Sequence, residues 1–370
     1  KLFENNLITS QEYLEALSLP LPIKSNELYN SDAPYFTEYI RRELERLIKD
    51  EEFTDSNNNG QYDYNEKFID LNNDGKWTKA EFESDIYKDG LTVNTTLDYN
   101  LQNILEEVFY NQMIVNQKKF NKDLLKDEER LKILSSEFEI SLDSLVTILE
   151  NDSIIPKRYR SKLLVQGAVV IMDSEHGHIL AMIGGRTEKH YIDHFNRATQ
   201  ADRQPGSVFK PFVYLSAIEN GASACTRLLN QPLVIYLEND KQYNPQNWDN
   251  SVGGPTTLRD GLRNSLNIVS VRVSRQLTTP NKVVALTKKF NFTTNIKPVE
   301  SIALGVSEVK LLEITAAFSA IANNGIWREP IAITSIFDSE NRKIKEFYSR
   351  SEEVADVSDI FILRDMMKSV

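Results

Sequence analysis

The segment 203–211, with the sequence RQPGSVFKP, constrains the fold more than any other part of the chain. Its Pro205-Gly206 pair predicts a sharp turn, and the residues after that pair predict a helix that begins at once. Ser207 and Lys210 are three residues apart, close to one helical turn, so we expect both side chains on one helix face. A serine hydroxyl needs a base to become a nucleophile, and burial can lower a lysine pKa enough for that role. Ser207 is therefore a candidate nucleophile and Lys210 its candidate base.

A second motif downstream strengthens this interpretation. Ser-x-x-Lys alone is a weak signal, but residues 263–267 read RNSLN and supply a Ser-x-Asn motif. Both motifs occur together in penicillin-recognising serine enzymes. The flanking segments resemble class A penicillin-binding proteins, in the same order along the chain. They are GAVVIMD at 167–173, ILAMIGG at 179–185, FNRAT at 195–199, YNPQN at 243–247, GPTTLR at 254–259, ALG at 303–305 and AIANNG at 320–325.

The resemblance implies a fold and a reaction. The fold is α+β, a transpeptidase domain of the penicillin-binding-protein and β-lactamase type over residues 165–370, with a sheet flanked by helices. The reaction is D,D-transpeptidation, which cross-links peptidoglycan: a stem peptide ending in D-Ala-D-Ala is the donor, and an amine on a neighbouring stem is the acceptor. Ser207 would attack the penultimate carbonyl with Lys210 as base. Ser265 would relay a proton to the leaving amine, and Asn267 would hold the donor amide and the lysine. β-Lactams would be covalent inhibitors, and the reaction would need no cofactor.

The resemblance also implies what surrounds this region in the family. Residues 1–45 resemble the C-terminal end of a glycosyltransferase domain and the start of a linker, so a bifunctional glycosyltransferase and transpeptidase is expected. The family's third motif, Lys-Thr-Gly, does not occur in the sequence and is expected after Val370. Without it, residues 1–370 alone are not expected to be a competent catalyst. Family members are bacterial and extracytoplasmic, held at the cytoplasmic membrane by an anchor ahead of this region.

The part before the transpeptidase region is predicted to be an interdomain linker over residues 90–164. Residues 90–98 alternate in polarity and are rich in β-branched residues, which predicts a strand. Asp98 is the predicted N-cap of the helix that follows. The charged helices of 116–160 are interpreted as linker helices with solvated faces, with partner binding as the alternative. Ahead of the linker, residues 33–48 predict an amphipathic helix.

A metal-binding pattern that the family does not require occupies residues 46–89. Segments 55–66 and 70–81 both match the twelve-residue calcium loop, with oxygen donors at positions 1, 3, 5, 9 and 12, a backbone carbonyl at 7 and glycine at 6. One match could be a hydrophilic surface turn, but the tandem predicts EF-hand-like loops that bind structural Ca²⁺. The candidate ligands are Asp55, Asn57, Asn59, Gln61, Asp63 and Glu66 in the first loop and Asp70, Asn72, Asp74, Lys76, Thr78 and Glu81 in the second.

Composition limits the partner classes and leaves three functions open. A net charge of −11 with no basic stripe argues against a nucleic-acid partner, and the single Cys225 excludes an intramolecular disulfide. The favoured function is the transpeptidase. The first alternative is a calcium-stabilised scaffold or penicillin-binding module without catalysis, and the intact motifs argue against it. The second is a D,D-carboxypeptidase or β-lactamase-type hydrolase, and the linker argues against that. Four histidines are interpreted as surface residues, and Tyr243 and Trp248 either line the donor groove or pack.

Overall fold

The computed structural model describes residues 31–50, 52–56, 61–64, 66–69, 77, 79–82, 84–150, 155–186, 195–237 and 241–370. The first described helix, α1 (Pro34–Ile48), has the predicted amphipathic pattern, with Phe36, Ile40 and Leu44 on its buried face. Proline in its first turn suits helix initiation because the missing N–H would have no intrahelical acceptor there. Within the described residues, none of the helices combines the length and the apolar character needed to cross a membrane.

The linker begins with strand β1 (Thr92–Thr95) and continues into the long helix α2 (Tyr99–Leu124). Asp98 caps α2 as predicted, because its carboxylate accepts a hydrogen bond from Leu101 N at 3.0 Å. Three shorter helices and a 3₁₀ turn follow. They are α3 (Glu128–Glu137), α4 (Leu142–Glu150), the 3₁₀ turn Lys157–Tyr159 and α5 (Arg160–Leu163).

These linker helices enclose a core of their own, which their charged sequence did not reveal. Leu145, Leu149 and Leu163 are at most 1% exposed within it. Two buried amides join the helices: Gln117 donates to the Leu163 carbonyl at 2.8 Å, and Asn121 donates to the Leu149 carbonyl at 2.9 Å. A buried amide is stable only when it is hydrogen-bonded, so these contacts fix how the helices pack. The linker therefore has a packed interior in addition to the solvated helix faces that the sequence predicted.

The larger domain is α+β, as predicted, and its strands form small antiparallel sheets. Strands β2 (Val169–Met172) and β3 (Ile179–Ile183) form a hairpin. Short pairs join β4 (Asp202–Arg203) to β9 (Val309–Lys310), β5 (Arg227–Leu229) to β8 (Pro255–Thr257), β6 (Ile235–Tyr236) to β7 (Gln242–Tyr243), and β10 (Ile326–Arg328) to β13 (Ser351–Glu353). The remaining sheet has the order β1-β11-β12, with β11 at Ile333–Phe337 and β12 at Lys343–Glu346, so it pairs a linker strand with the domain.

The helices of this domain pack around a central helix, α6 (Lys210–Glu219), whose residues from Lys210 to Ile218 are all buried. A 3₁₀ turn (Gly206–Phe209) leads directly into α6. The surrounding elements are α7 (Leu258–Arg263), α8 (Asn267–Arg272), the π-helical turn Val273–Leu277, α9 (Pro280–Lys289), the 3₁₀ turn Glu300–Leu304, α10 (Leu311–Ala322) and α11 (Val357–Met367).

Phe212 lies at the centre of this core, fully buried, with its ring 5.5 Å from the rings of Phe290 and Phe292. We expect Phe212→Ala to lower the free energy of unfolding by about 3–5 kcal/mol, because it leaves a cavity that the core cannot fill. Chemical denaturation measures this. Phe361→Ala removes the same atoms from a side chain that is 72% exposed, and it should change stability by no more than about 0.5 kcal/mol. Equal losses in both variants would contradict this account of the core.

Candidate active site

Ser207 lies in the 3₁₀ turn that precedes α6, and Lys210 is the first residue of α6. The sequence predicted an α-helical turn, but the structure forms a tighter one. Residues at i and i+3 eclipse in a 3₁₀ helix, so the expected shared face is retained. The two residues differ in environment: Ser207 is exposed, whereas Lys210 is 1% exposed. The structure thus places an exposed serine three residues before a buried lysine.

A glycine from a distant segment supports the turn that holds Ser207. Gly206 N donates to the Gly305 carbonyl at 3.3 Å, and both glycines have left-handed φ angles of +58° and +64°. A Cβ at Gly305 would lie 2.1 Å from the Gly206 carbonyl oxygen, closer than any real contact. Strand β4 precedes Gly206 and strand β9 follows Gly305, and the pairing of these two strands also holds the two chain segments together. Glycine is therefore required at position 305 for both its backbone angle and its lack of a side chain.

Lys210 is the centre of the site because three oxygens surround its Nζ atom. Nζ lies 2.6 Å from the Ser265 carbonyl oxygen, 2.9 Å from Ser265 Oγ and 2.9 Å from Asn267 Oδ1. Burial lowers the pKa of Lys210 to about 8, because a charged amine loses hydration inside the protein. The three oxygens match the three N–H donors of an ammonium group. The neutral amine has two N–H donors and a lone pair, so loss of the proton would free one of these three contacts.

Ser265 adopts a backbone conformation that is unusual for a residue other than glycine. Its φ is +51°, and it lies in the turn between α7 and α8. Backbone bonds fix this turn, with Ser265 N donating to the Leu262 carbonyl and Leu266 N to the Gly261 carbonyl, both at 2.9 Å. The left-handed angle costs of order 1–2 kcal/mol, and here it aims both the carbonyl and the hydroxyl of one residue at Lys210. No side chain caps α8 at Leu266, so Ser265 is not a helix cap.

Asn267 connects Lys210 to the loop that follows β7. Its Oδ1 accepts from Lys210, and its Nδ2 donates to the Gln246 carbonyl at 2.9 Å. The next residue of that loop, Asn247, is 4% exposed and accepts from Ile268 N at 3.2 Å. Asn247 also donates to Asn230 Oδ1 and to the Ser251 carbonyl, both at 2.8 Å. Asn247 therefore positions the start of α8. The sequence marked the YNPQN segment but assigned this asparagine no role.

The other residues that the sequence analysis singled out have different environments. Trp248 is 98% exposed beside this loop, so its side chain does not pack. Tyr243 is half-buried, and burial raises the pKa of its hydroxyl. His176 pairs with Asp173 at 2.6 Å in the β2–β3 turn, apart from the contacts of Lys210. The predicted surface residues His190 and His194 lie outside the described residues.

The candidate calcium ligands lie in a separate segment, between α1 and β1. Glu66 turns its carboxylate back onto its own loop and accepts from Ser56 N at 2.7 Å and from Asp63 N at 3.0 Å. Glu81 instead pairs with Lys345 of β12 at 2.9 Å. Across the described part of the chain, His, Cys, Asp and Glu side chains do not meet in a group of three that could hold a metal ion. Asp55, Gln61 and Asp63 are also described, whereas Asn57, Asn59, Asp70, Asn72, Asp74, Lys76 and Thr78 lie outside the described residues.

Known proteins resemble this chain in sequence and in fold. The family model for the penicillin binding protein transpeptidase domain matches residues 167–370. Penicillin-binding protein 1A of Neisseria lactamica is 38% identical over 185 residues, which are 48% of this chain and 22% of that protein. The chain thus spans about a fifth of the length of this curated relative.

Solved structures show the same fold at low sequence identity. Penicillin-binding protein 1A from Haemophilus influenzae has a TM-score of 0.64 at 18% identity, covering 100% of this chain and 62% of that chain. The PonA1 protein from Mycobacterium tuberculosis, in complex with penicillin V, has a TM-score of 0.52 at 17% identity, covering 76% of this chain and 64% of that chain. The mixed helix and strand architecture is therefore shared with these structures.

The contact between Gly305 and Gly206 can be tested by adding one methyl group. If Ser207 is the nucleophile that the sequence predicts, Gly305→Ala should displace its turn and slow its acylation by a labelled penicillin by tenfold or more, because the new Cβ would collide with the Gly206 carbonyl. Stopped-flow acylation and thermal melting measure the two effects. Gly221→Ala is the control, since Gly221 also has a positive φ, +90°, but an added Cβ there meets nothing within 4 Å. Normal acylation in Gly305→Ala would show that this contact does not position Ser207.

Proposed function

The chain belongs to the penicillin-binding protein transpeptidase family, and from that premise we propose that it is a D,D-transpeptidase that cross-links peptidoglycan through an acyl-enzyme on Ser207. One observation carries the proposal. The Lys210 amine is buried and donates hydrogen bonds to Ser265 and Asn267, and the exposed Ser207 lies three residues before Lys210 in the chain. A buried amine with a lowered pKa, one helical turn from an exposed serine, can supply the base that nucleophilic serine catalysis needs.

In the acylation step, Ser207 Oγ forms a bond to the penultimate carbonyl carbon of a D-Ala-D-Ala stem peptide. Lys210, in its neutral form, takes the hydroxyl proton. The backbone N–H of Ser207, at the start of a helical segment, is one donor to the oxyanion. When the amide bond breaks, the proton passes from Lys210 through Ser265 Oγ, 2.9 Å away, to the nitrogen of the leaving D-alanine.

In the second step, an amine of a neighbouring stem attacks the ester carbonyl. Its proton returns through the same residues, the bond to Ser207 Oγ breaks, and the hydroxyl is regenerated. The division into two steps replaces one high barrier by two lower ones. Asn267 connects Lys210 to the Gln246 carbonyl, so it is placed to hold the donor amide beside the base. Water in place of the acceptor amine would give the hydrolase alternative.

The relatives suggest the ligands and the setting of the whole protein. PonA1, which shares the fold, was solved with penicillin V, and this supports β-lactams as covalent inhibitors of Ser207. The name of the 1A relatives supports the same reactivity. We place the protein outside the cytoplasm of a bacterium, anchored at the membrane and joined to a glycosyltransferase domain. Peptidoglycan stems are then the donor and acceptor partners, and the transfer reaction uses no cofactor.

The pH dependence of acylation follows from the Lys210 pKa of about 8. The active base is the neutral amine, so the second-order acylation rate by a penicillin should rise about tenfold per pH unit below pH 8 and level off above it. Intact-mass spectrometry locates the adduct, and Ser207→Ala should remove it entirely. Lys210→Arg, which stays protonated, should slow acylation by several orders of magnitude.

Controls separate this mechanism from its alternatives. The exposed variant Phe361→Ala should keep both the rate and the pH profile. Labelling that persists in Ser207→Ala would show that Ser207 is not the nucleophile. A flat pH profile would remove Lys210 from the role of base. A long-lived adduct supports the transpeptidase, whereas rapid hydrolysis of the adduct would favour the hydrolase and no adduct at all would favour the scaffold.

A further inference from the structure

Helix α8, which carries Asn267 as its first residue, begins without a side-chain cap of its own. The first N–H groups of a helix have no acceptor inside the helix, and the N-cap side chain usually accepts from one of them. The N-cap of α8 is Leu266, whose side chain has no acceptor atom. Ile268, the second residue of the helix, is 2% exposed, so its N–H needs an acceptor from elsewhere in the protein.

Asn247 supplies that acceptor from 21 positions earlier in the chain. Its Oδ1 accepts from Ile268 N at 3.2 Å, as an N-cap side chain would do within a helix. Its Nδ2 uses both N–H groups, donating to Asn230 Oδ1 and to the Ser251 carbonyl, both at 2.8 Å. Reversing this amide would place like groups against each other at all three contacts. The orientation of the Asn247 side chain, which is 4% exposed, is therefore fixed.

Asn230 anchors this amide to a strand pair. It follows β5 directly, and Gly254 directly precedes β8, the partner strand of β5. Asn230 N donates to the Gly254 carbonyl at 3.2 Å, and Gly253 N donates to the Asn230 carbonyl at 2.6 Å. The backbone of Asn230 is thus held through both its N–H and its carbonyl, and the residue is buried. The end of a strand pair therefore fixes Asn247, which in turn fixes the start of α8.

The residue before Asn247 makes a second contact with α8. The Gln246 carbonyl accepts from Asn267 Nδ2 at 2.9 Å, and Asn267 Oδ1 accepts from Lys210 Nζ at 2.9 Å. Consecutive residues of the loop thus bind consecutive residues of the helix. Because its Nδ2 is bound to a carbonyl, Asn267 presents its oxygen to Lys210 and not its N–H groups. The direction of this one amide decides whether the lysine amine meets an acceptor or a donor.

We propose that Asn247 is a positioning residue for the acylation of Ser207. It holds the start of α8 so that Asn267 keeps its oxygen on the Lys210 amine, and Asn230 is its anchor. The inference rests on the proposed function, in which Lys210 is the base. Asn247 is buried, so it acts through Asn267 and not on the substrate. A purely structural asparagine would change the stability of the fold but leave the acylation rate of the folded molecules unchanged.

The test measures acylation of Ser207 by a labelled penicillin in the whole protein, with the maximal rate and the dissociation constant of the non-covalent complex determined separately. Asn247→Ala should lower the maximal rate about tenfold or more, because the base is misplaced, and should change the dissociation constant less than about threefold. Asn230→Ala removes only one contact of Asn247 and should have a smaller effect. Asn244→Ala, at an exposed asparagine of the same segment, should change neither quantity.

The two buried asparagines should not act independently. The double variant should be acylated no more slowly than Asn247→Ala alone, because Asn230 acts through Asn247. Hydrogen exchange, followed by mass spectrometry on the peptide that spans the start of α8, gives a second measurement that needs no penicillin. Exchange of this peptide should be faster in Asn247→Ala and in Asn230→Ala, since the Ile268 N–H loses a fixed acceptor. It should be unchanged in Asn244→Ala.

The outcomes separate this inference from the proposed function. Failure of the unaltered protein to form an adduct contradicts the proposed function, and hydrogen exchange then decides whether Asn247 holds the start of α8. A normal maximal rate in folded Asn247→Ala overturns the positioning role, and so does a loss confined to the dissociation constant. If Asn247→Ala does not fold, Asn230→Ala decides, and an unchanged rate with unchanged exchange in that variant overturns the proposal.

Discussion

The site depends on one buried amine held by oxygens from another part of the chain. Lys210 belongs to α6, and its acceptors come from Ser265 and Asn267, more than fifty residues later. A buried amine without such acceptors would cost several kcal/mol, so the contact forces the turn between α7 and α8 against the start of α6. Three further features fix the position of the start of α6 relative to the turn between α7 and α8. They are the left-handed backbone of Ser265, the buried Asn247 and the close contact between Gly206 and Gly305.

The motifs identified Lys210, Ser265 and Asn267 from the sequence, and the structure brings these three side chains into direct contact. The predictions of the turn after Pro205, the Asp98 cap and the α+β class are confirmed by the structure. The family match confirms the resemblance. The roles of Ser207, Lys210, Ser265 and Asn267 in catalysis, and the calcium ligands, stay predictions.

Other features could not be predicted because they arise only from tertiary contacts. The Ser265 carbonyl is an acceptor for Lys210 because of a positive φ, and no local pattern signals a left-handed serine. The role of Asn247 depends on Asn230 and Ile268, which approach it only in the folded chain. The core of the linker was hidden because its leucines are spread among many charged residues. Glu81 matched the loop motif, yet its carboxylate contacts Lys345, a residue far along the chain.

The pairing of β1 with β11 has a consequence for how the chain is made. Thr92 is aligned with Phe337, and the side chains of Asn94 and Ser335 are joined across 241 positions of sequence. Contacts this distant form late, because a long loop must close first. During synthesis at about 5–20 residues per second, β1 must wait roughly 12–50 s for its partner strand to emerge. For that interval the nascent chain presents an unpaired strand edge, with backbone N–H and C=O groups that have no strand partner until β11 is made.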